Sequence, residues 1–254
     1  MKINLLHFSS EGSFPVILFF PGLACTTSAA DYSRVLSHIS SWGYVVLGPW
    51  ASLYNPADTY EAKWVEHVLN WAKVHLDPSS EANYGVNPGI VMDFDNLILG
   101  AQSSGSHVAV NFLKLREAQD CSDVKAMFLM SPVDGFDPYG LFGETCIDPP
   151  SKVNFQIPTL IISGGLDSLK GINGLGEIIP ACAPEDLSND RFFHAMTGPT
   201  IKVNTTQYGH ADCFDDGLYN IVANLHLCAT NRDMDRDIYR SYIAGTIIFD
   251  FIKQ

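Results

Sequence analysis

Ser103 lies in a run of small residues, Ala-Gln-Ser-Ser-Gly at positions 101–105, that separates two contrasting segments. Residues 97–99 before it are apolar, as in a buried strand, and the apolar positions of residues 106–113 recur at helical spacing. The run is a close variant of the G-x-S-x-G turn, in which a strained strand-to-helix junction projects a serine hydroxyl over the end of a parallel sheet. We therefore predict that Ser103 is a nucleophile. The alternative is that the serines of this junction only cap the helix.

A serine hydroxyl reacts poorly at neutral pH, so it needs a base within hydrogen-bonding distance and an acid that orients this base. In α/β-hydrolases the acid and then the histidine follow the serine along the chain. His210 follows the last predicted strand, residues 200–207, and Gly209 leaves room for the loop to turn back over Ser103. We predict that His210 is the base. The alternative is a histidine that is simply packed into the core.

Several aspartates are candidates for the acid that orients His210. Asp167 ends a small-residue loop after a predicted strand, which is the usual position of the acid, and we favour it. Asp134 lies one strand earlier and is the alternative acid, with Asp137 as a third candidate. Asp212 is too close to His210 in the sequence to be a simple orienting group.

Two backbone amides are candidates for stabilising the oxyanion that forms when a serine attacks an ester. In α/β-hydrolases one belongs to the residue after the nucleophile and the other to the loop after an earlier buried strand. These positions are Ser104 and Leu23, the latter following the near-continuous apolar run 14–20. The alternative is that residues 21–24 form an ordinary turn at the end of a strand.

Aromatic and apolar residues in two irregular segments indicate a surface that contacts the substrate. Residues 50–56 follow a predicted buried strand on the side where ligands enter such sheets, and they include Trp50, Leu53 and Tyr54. Phe142 lies in a stretch rich in glycine, proline and aromatic residues that could form a flap. These residues favour a bulky apolar substrate, and loop packing is the alternative.

The elements that must position these residues alternate between strands and helices, which indicates the α/β class. Near-continuous apolar strands are typical of a mostly parallel sheet that is covered by helices on both faces. We predict an α/β-hydrolase fold that forms a single domain over residues 1–254, with a closing helix at residues 235–252.

The composition excludes several classes of function. The 254 residues are 46% hydrophobic, and no apolar run approaches the roughly 20 residues of a membrane span. A formal net charge of -13 argues against binding to nucleic acids or anionic membranes, which requires basic patches. The six cysteines form no C-x-x-C pair, so we expect no zinc site and at most one or two disulfides. The first residues lack the apolar core of a secretory signal peptide, so we expect no such signal in this sequence.

Several motifs resemble those of the chlorophyllase family of α/β-hydrolases. Residues 208–216 are similar to its Y-G-H-x-D-x-x-D-D segment, residues 131–135 to its D-P-V-x-G, and residues 180–184 to its P-P-C-A-P. Three longer segments also resemble their counterparts: 14–22, 44–54 and 239–251. The likeness therefore covers nearly the whole chain.

The resemblance implies hydrolysis of the carboxylic ester that joins phytol to the chlorophyll macrocycle, without a metal or an organic cofactor. It makes Ser103 the nucleophile and His210 the base. The family's elbow reads G-H-S-R-G-G where this chain has Ala-Gln-Ser-Ser-Gly-Ser, and Ser131 replaces the aspartate of D-P-V-x-G, which is the family's acid. A serine cannot carry the charge that stabilises an imidazolium, so we expect the acid on the other strand, at Asp167.

We therefore predict a serine carboxylic-ester hydrolase that forms an acyl-enzyme with a bulky apolar ester, such as the phytyl ester of chlorophyll. A general lipase-like or cutinase-like esterase is the alternative within the same chemistry. A hydrolase-fold protein that binds a lipid or pigment without catalysis is the alternative from another class. The expected partner is a hydrophobic ester that is a small molecule rather than a macromolecule, and the expected location of this soluble protein is the plastid or the cytoplasm. The sequence predicts no oligomeric state.

Overall fold

The structure is a computed structural model that describes residues 2–6, 11–50, 58–76, 86–116, 122–135, 145–150 and 152–253. Its described strands form a seven-stranded sheet in the order β1-β3-β2-β4-β5-β6-β7. The strands are β1 (Lys2–Leu6), β2 (Gly12–Phe20), β3 (Val45–Trp50), β4 (Ile90–Gln102), β5 (Val124–Met130), β6 (Thr159–Gly164) and β7 (Thr200–Thr205). Only the edge strand β1 pairs antiparallel among these strands, and every other pairing is parallel.

Helices follow most of the strands and cover the sheet. They are α1 (Gly22–Cys25), α2 (Ser33–Ser41), α3 (Asp58–His75), α4 (Gly105–Arg116), α5 (Asn189–Ala195), α6 (Asp216–Asn224), α7 (Arg236–Tyr242) and α8 (Phe249–Ile252). A π-helical segment, Ile243–Ile248, joins α7 to α8, so the predicted closing helix is present but changes its hydrogen-bond period midway.

Two apolar cores lie on opposite faces of the sheet, because successive side chains of a strand point to opposite faces. In β2, Val16, Leu18 and Phe20 pack in the core that includes buried residues of α3, α4 and α5. Ile17 and Phe19 pack in the other core, with buried residues of α2, α6 and α7. The near-continuous apolar run of β2 is therefore explained by burial on both sides, and the predicted α/β class with helices on both faces is confirmed.

The parallel direction of six strands brings their carboxyl ends to one edge of the sheet. The loops after β2, β4, β5, β6 and β7 therefore meet there, and these loops carry the residues that the sequence singles out. Ligands of such sheets bind in the crevice outside the carboxyl ends of the strands. Among the described helices, none combines the length and the apolar character that a membrane crossing requires.

Candidate active site

Ser103 occupies the junction between β4 and α4 with a backbone φ of +54°, in the left-handed region that is uncommon for a non-glycine residue. Its amide donates to Met130 O at 3.0 Å, and its carbonyl accepts from Val133 N at 3.1 Å. Gly105 allows the sharp turn, because a Cβ atom there would lie 2.2 Å from Phe20 O. The predicted nucleophile is thus held in a strained backbone conformation at the end of the sheet.

His210 lies in the loop after β7, and its Nε2 atom is 2.9 Å from Ser103 Oγ. The loop is held by Asp212, whose Oδ2 accepts from the amide of Gly209 at 2.7 Å. Burial lowers the pKa of His210 to about 4. The imidazole is therefore neutral at pH 7, so that Nε2 can accept a proton from the serine.

Asp167 follows β6, and its Oδ2 accepts hydrogen bonds from Gly164 N at 2.8 Å and Asn189 Nδ2 at 3.1 Å. Burial raises the pKa of Asp167 to about 6, although these two donors and the neighbouring side chain of Ser131 oppose the rise. The carboxyl is thus ionised at pH 7 but loses its charge under mildly acidic conditions.

Two buried polar atoms in this region, His210 Nδ1 and Asp167 Oδ1, have no hydrogen-bond partner among the described residues. A Cβ atom at Gly164 would lie 2.5 Å from Asp167 Oδ1 and 3.0 Å from the Cα of Gly209. The unpaired carboxylate oxygen therefore lies close to the backbone that carries His210. Hydrogen bonds of catalytic groups are often long without substrate and shorten when it binds.

Asp134, the alternative acid, has both of its oxygens bound elsewhere. Oδ1 lies 3.0 Å from His107 Nδ1 and accepts from Cys146 N at 2.7 Å, whereas Oδ2 accepts from Ile147 N at 3.0 Å and Arg191 Nε at 2.8 Å. Burial alone would raise the pKa of Asp134, but the hydrogen bonds of His107 and Cys146 lower it overall. No hydrogen bond in the structure joins the His210 ring to Asp134 or to Asp167, and Asp137 lies outside the described residues.

The cluster around Asp134 includes a possible metal site. Among the described residues it is the one group of side chains whose donor atoms are close enough to one another to bind a metal ion. The donor atoms of His107, Asp134 and Cys146 lie within 4.8 Å of one another. Burial raises the pKa of the Cys146 thiol well above its ordinary value, which disfavours the thiolate that binds metals. The oxygens of Asp134 are also occupied by backbone amides and Arg191. The cluster is thus a buried hydrogen-bond network that holds the chain around residues 146 and 147.

The two predicted oxyanion donors lie beside Ser103. Leu23 is in the first turn of α1, with a φ of +49°, and Ser104 is directly before α4. The amide of Leu23 lies in the first turn of α1, where amides have no carbonyl partner within the helix and can bind a ligand. Both residues line a cavity together with Ser103 and His210.

This cavity has a volume of about 160 Å³ and walls that are mostly apolar. Apolar side chains that line it are Leu23, Val133, Phe214, Leu218, Val222 and Leu227. Of the predicted substrate contacts, Trp50 at the end of β3 is not among the lining residues, and Leu53, Tyr54 and Phe142 lie outside the described residues. The wall contributed by α6 and the loop after it was not anticipated, because nothing in the sequence pattern places that helix over Ser103.

A disulfide between Cys182 and Cys228 also lines the cavity. It fits the expectation of one or two disulfides, but the sequence did not indicate which cysteines pair. Cys146 and Cys213 are free and buried, and Cys121 lies outside the described residues.

We expect the Cys182→Ser variant to lose about 2–5 kcal/mol in the free energy of unfolding, because the disulfide closes a loop with a sequence separation of 46 residues. Denaturant titrations with and without reductant measure this loss. Reductant should destabilise the wild type and leave the variant unchanged. A wild type whose unfolding midpoint does not respond to reductant would contradict a stabilising disulfide.

Tyr32 and Gln102 complete the site and were not anticipated as functional residues. Both are buried, and hydrogen bonds join them to each other and to groups around Ser103. Gln102 directly precedes the nucleophile, which is the one sequence signal that pointed to it. Tyr32 carries no such signal, since it is 71 positions before Ser103 in the numbering.

Comparisons with known proteins identify related sequences over nearly the whole chain. The profile of the family described as Chlorophyllase matches residues 3–254. Chlorophyllase-2 of Arabidopsis thaliana is 25% identical over 252 residues, which cover 96% of this chain and 74% of that protein. Chlorophyllase-1 of the same plant is 26% identical over 249 residues, which cover 95% of this chain and 72% of that protein.

A solved structure, that of a ferulic acid esterase from Streptomyces cinnamoneus, shares the fold. The TM-score is 0.58 at 14% sequence identity, and the match covers 96% of this chain and 68% of the esterase chain. At this identity the likeness concerns the fold alone. It confirms the α/β-hydrolase fold predicted from the sequence.

Proposed function

Because this chain belongs to the chlorophyllase family, we propose that it is a serine hydrolase that cleaves a carboxylic ester through an acyl-enzyme. The observation that carries the proposal is the 2.9 Å distance between His210 Nε2 and Ser103 Oγ at the end of the parallel sheet. A nucleophile and a base within hydrogen-bonding distance are the minimum that this chemistry requires.

In the first half of the reaction, Ser103 Oγ attacks the ester carbonyl while its proton passes to His210 Nε2. The oxyanion is stabilised by the amides of Leu23 and Ser104, each typically worth about 3 kcal/mol of activation free energy. The tetrahedral intermediate then collapses, His210 returns the proton to the leaving alkoxide oxygen, and the alcohol departs.

In the second half, water attacks the acyl carbon and gives its proton to His210 Nε2. Collapse of this intermediate breaks the bond to Ser103 Oγ, which takes the proton back, and the carboxylic acid is released. Asp167 is the acid in our proposal, because its charge stabilises the imidazolium that forms in both halves. The buried, unpaired Asp167 Oδ1 and His210 Nδ1 support this role.

The apolar walls of the cavity support an alkyl ester as the substrate. Engineered cavities of about 150 Å³ hold a molecule the size of benzene, so a cavity of about 160 Å³ takes a ring or a short stretch of chain. Membership in the chlorophyllase family favours the phytyl ester of chlorophyll, of which one chain segment would occupy this cavity while the remainder lies outside it. A smaller alkyl or aryl ester is the second candidate, favoured by the cavity volume alone.

Hydrolysis rates distinguish these substrates. Wild-type protein is assayed with chlorophyll, with its phytol-free methyl ester analogue, and with p-nitrophenyl esters of increasing chain length, using Ser106→Ala as the matched control. Ser106 is buried on the same turn, and its hydroxyl has no partner among the described residues. A higher kcat/KM for chlorophyll than for any aryl ester supports the phytyl ester. The reverse order leaves a general esterase, and turnover of no ester contradicts the proposed function.

The pH dependence of kcat/KM should report the charge of Asp167. As the pH falls from 7, Asp167 is protonated first, near its pKa of about 6, and His210 only near its pKa of about 4. A neutral Asp167 cannot stabilise the imidazolium, so we expect the rate to fall with an apparent pKa near 6. In Asp167→Asn the residual rate should fall only at lower pH, toward 4. An acid limb at the same pH in both proteins would contradict this assignment.

A further inference from the structure

We propose that Gln102 and Tyr32 form a positioning pair that couples the oxyanion loop to the catalytic base. The inference rests on the proposed function, because it concerns the same ester hydrolysis. Neither side chain forms a bond with the substrate or exchanges a proton in this role. The pair acts by fixing the position of the His210 ring relative to the first turn of α1.

The first half of the coupling is the contact between Tyr32 and the start of α1. Tyr32 Oη accepts a hydrogen bond from Gly22 N at 2.9 Å and donates one to Gln102 Oε1 at 2.8 Å. Tyr32 and Gln102 are both 0% exposed, so neither hydroxyl nor amide has water as a substitute partner. Burial also raises the pKa of Tyr32 well above its ordinary value, which keeps the hydroxyl a neutral donor.

The second half is the contact between Gln102 and His210. Gln102 Nε2 lies 3.3 Å from His210 Nε2 and 3.3 Å from His210 O. The side-chain amide of Gln102 therefore bridges two groups. Its oxygen is linked through the Tyr32 hydroxyl to Gly22 at the start of α1, and its nitrogen contacts His210. The orientation of the amide follows from Tyr32, whose hydroxyl needs an acceptor because it already accepts from Gly22.

The packing at Gly22 leaves little room for this arrangement to shift. A Cβ atom at Gly22 would lie 2.5 Å from Gln102 Oε1, 3.1 Å from Tyr32 Oη and 3.3 Å from Ser103 Cβ. The amide of Gly22 is bound to Tyr32 and is therefore not available to the oxyanion, whereas Leu23, the next residue along the turn, also lines the cavity. The pair thus determines which amide of the loop is presented to the oxyanion.

The amide of Gln102 also affects protonation of the base. An N–H group that faces Nε2 favours the neutral imidazole and opposes the imidazolium. A carboxylate in the same place would do the opposite. The Gln102→Glu variant keeps nearly the same shape and keeps an acceptor for Tyr32, so it changes the charge beside His210 with little change in packing.

Steady-state kinetics on a p-nitrophenyl ester test the pair. In Tyr32→Phe we expect kcat to fall by about 10- to 100-fold with KM nearly unchanged, because small misplacements of catalytic groups have effects of this size. The matched control is Tyr219→Phe. Tyr219 is also a buried tyrosine, and it does not line the cavity. In Gln102→Glu we expect the pKa of His210 to rise by about one to three pH units, which an NMR titration of its imidazole measures.

A His210 pKa that does not rise in Gln102→Glu overturns the inference, and so does a Tyr32→Phe variant whose kcat equals that of Tyr219→Phe. If Tyr32→Phe does not fold, the titration of His210 in Gln102→Glu decides alone. Turnover by the wild type separates this outcome from failure of the proposed function. A wild type that hydrolyses no ester contradicts both the proposed function and the positioning role of Tyr32 and Gln102. An active wild type with unaffected variants contradicts only the positioning role.

Discussion

Replacement of Ser103 by alanine should lower kcat for ester hydrolysis by about 10⁴- to 10⁶-fold, the loss typical of enzymes that lose a serine nucleophile. The substitution removes the atom that forms the acyl-enzyme and leaves the oxyanion donors and the cavity in place. KM should therefore change much less than kcat. Steady-state rates on a p-nitrophenyl ester measure both quantities.

The Ser106→Ala variant controls for the effect of substitution in the same turn. It removes a buried hydroxyl that has no partner among the described residues, three positions from Ser103 in the chain numbering. We expect its kcat to stay within about two-fold of the wild type, since it lies outside the groups assigned to the chemistry. A comparable loss of rate in both variants would indicate that damage to the turn, rather than loss of the nucleophile, explains the result.

Replacement of Asp167 by asparagine should lower kcat by about 10⁴-fold and stabilise the protein at pH 7. The loss of rate follows because asparagine carries no charge to stabilise the imidazolium and favours the wrong imidazole tautomer. The gain in stability follows from the pKa of about 6, which is above the value of 3.8 for the unfolded chain. As the pH rises from about 4 to about 6, this carboxyl loses its proton in the unfolded chain before it does so in the folded protein. The free energy of unfolding therefore falls over this range. Removing that charge should therefore raise the free energy of unfolding by about 1–3 kcal/mol at pH 7.

The Asp134→Asn variant should lose stability and keep most of its activity, in contrast to Asp167→Asn. Asp134 is buried and ionised, and its oxygens accept from two backbone amides and from Arg191. Loss of its charge leaves these donors poorly paired, so the free energy of unfolding should fall by about 3–5 kcal/mol. The kcat per folded molecule should change far less than in Asp167→Asn. Thermal denaturation and active-site titration measure the two effects separately, and an inactive but stable Asp134→Asn variant would contradict the assignment of the acid.

The position of Ser103 could be predicted from the sequence because the turn imposes strict local requirements. A serine with positive φ at the end of a buried strand needs small neighbours, and Gly105 meets that need because a Cβ atom there would lie 2.2 Å from the carbonyl oxygen of Phe20 in β2. His210 could be predicted for a similar reason, since it follows the last strand of the sheet. The order of the strands along the chain fixes both positions, so no knowledge of side-chain packing is needed.

The acid could not be chosen from the sequence alone, because Asp134 and Asp167 both follow strands that end beside Ser103. The difference lies in partners that are distant in the chain. Arg191 and His107 bind Asp134, whereas Asp167 keeps one oxygen unpaired among the described residues. Ser131, which stands where the family motif has its aspartate, lies beside Asp167 in the structure. The pairing of Cys182 with Cys228 and the contact of Tyr32 with Gln102 were missed for the same reason.

The most direct test of the central claim is to map the adduct that a fluorophosphonate probe forms with the wild-type protein at pH 7. Intact mass spectrometry gives the number of adducts, and peptide mapping gives their position. We expect a single adduct, on the peptide that contains Ser103, and much slower labelling in a His210→Ala variant. No adduct, or an adduct on another residue, would contradict the claim that Ser103 and His210 form the nucleophile and base of an ester hydrolase.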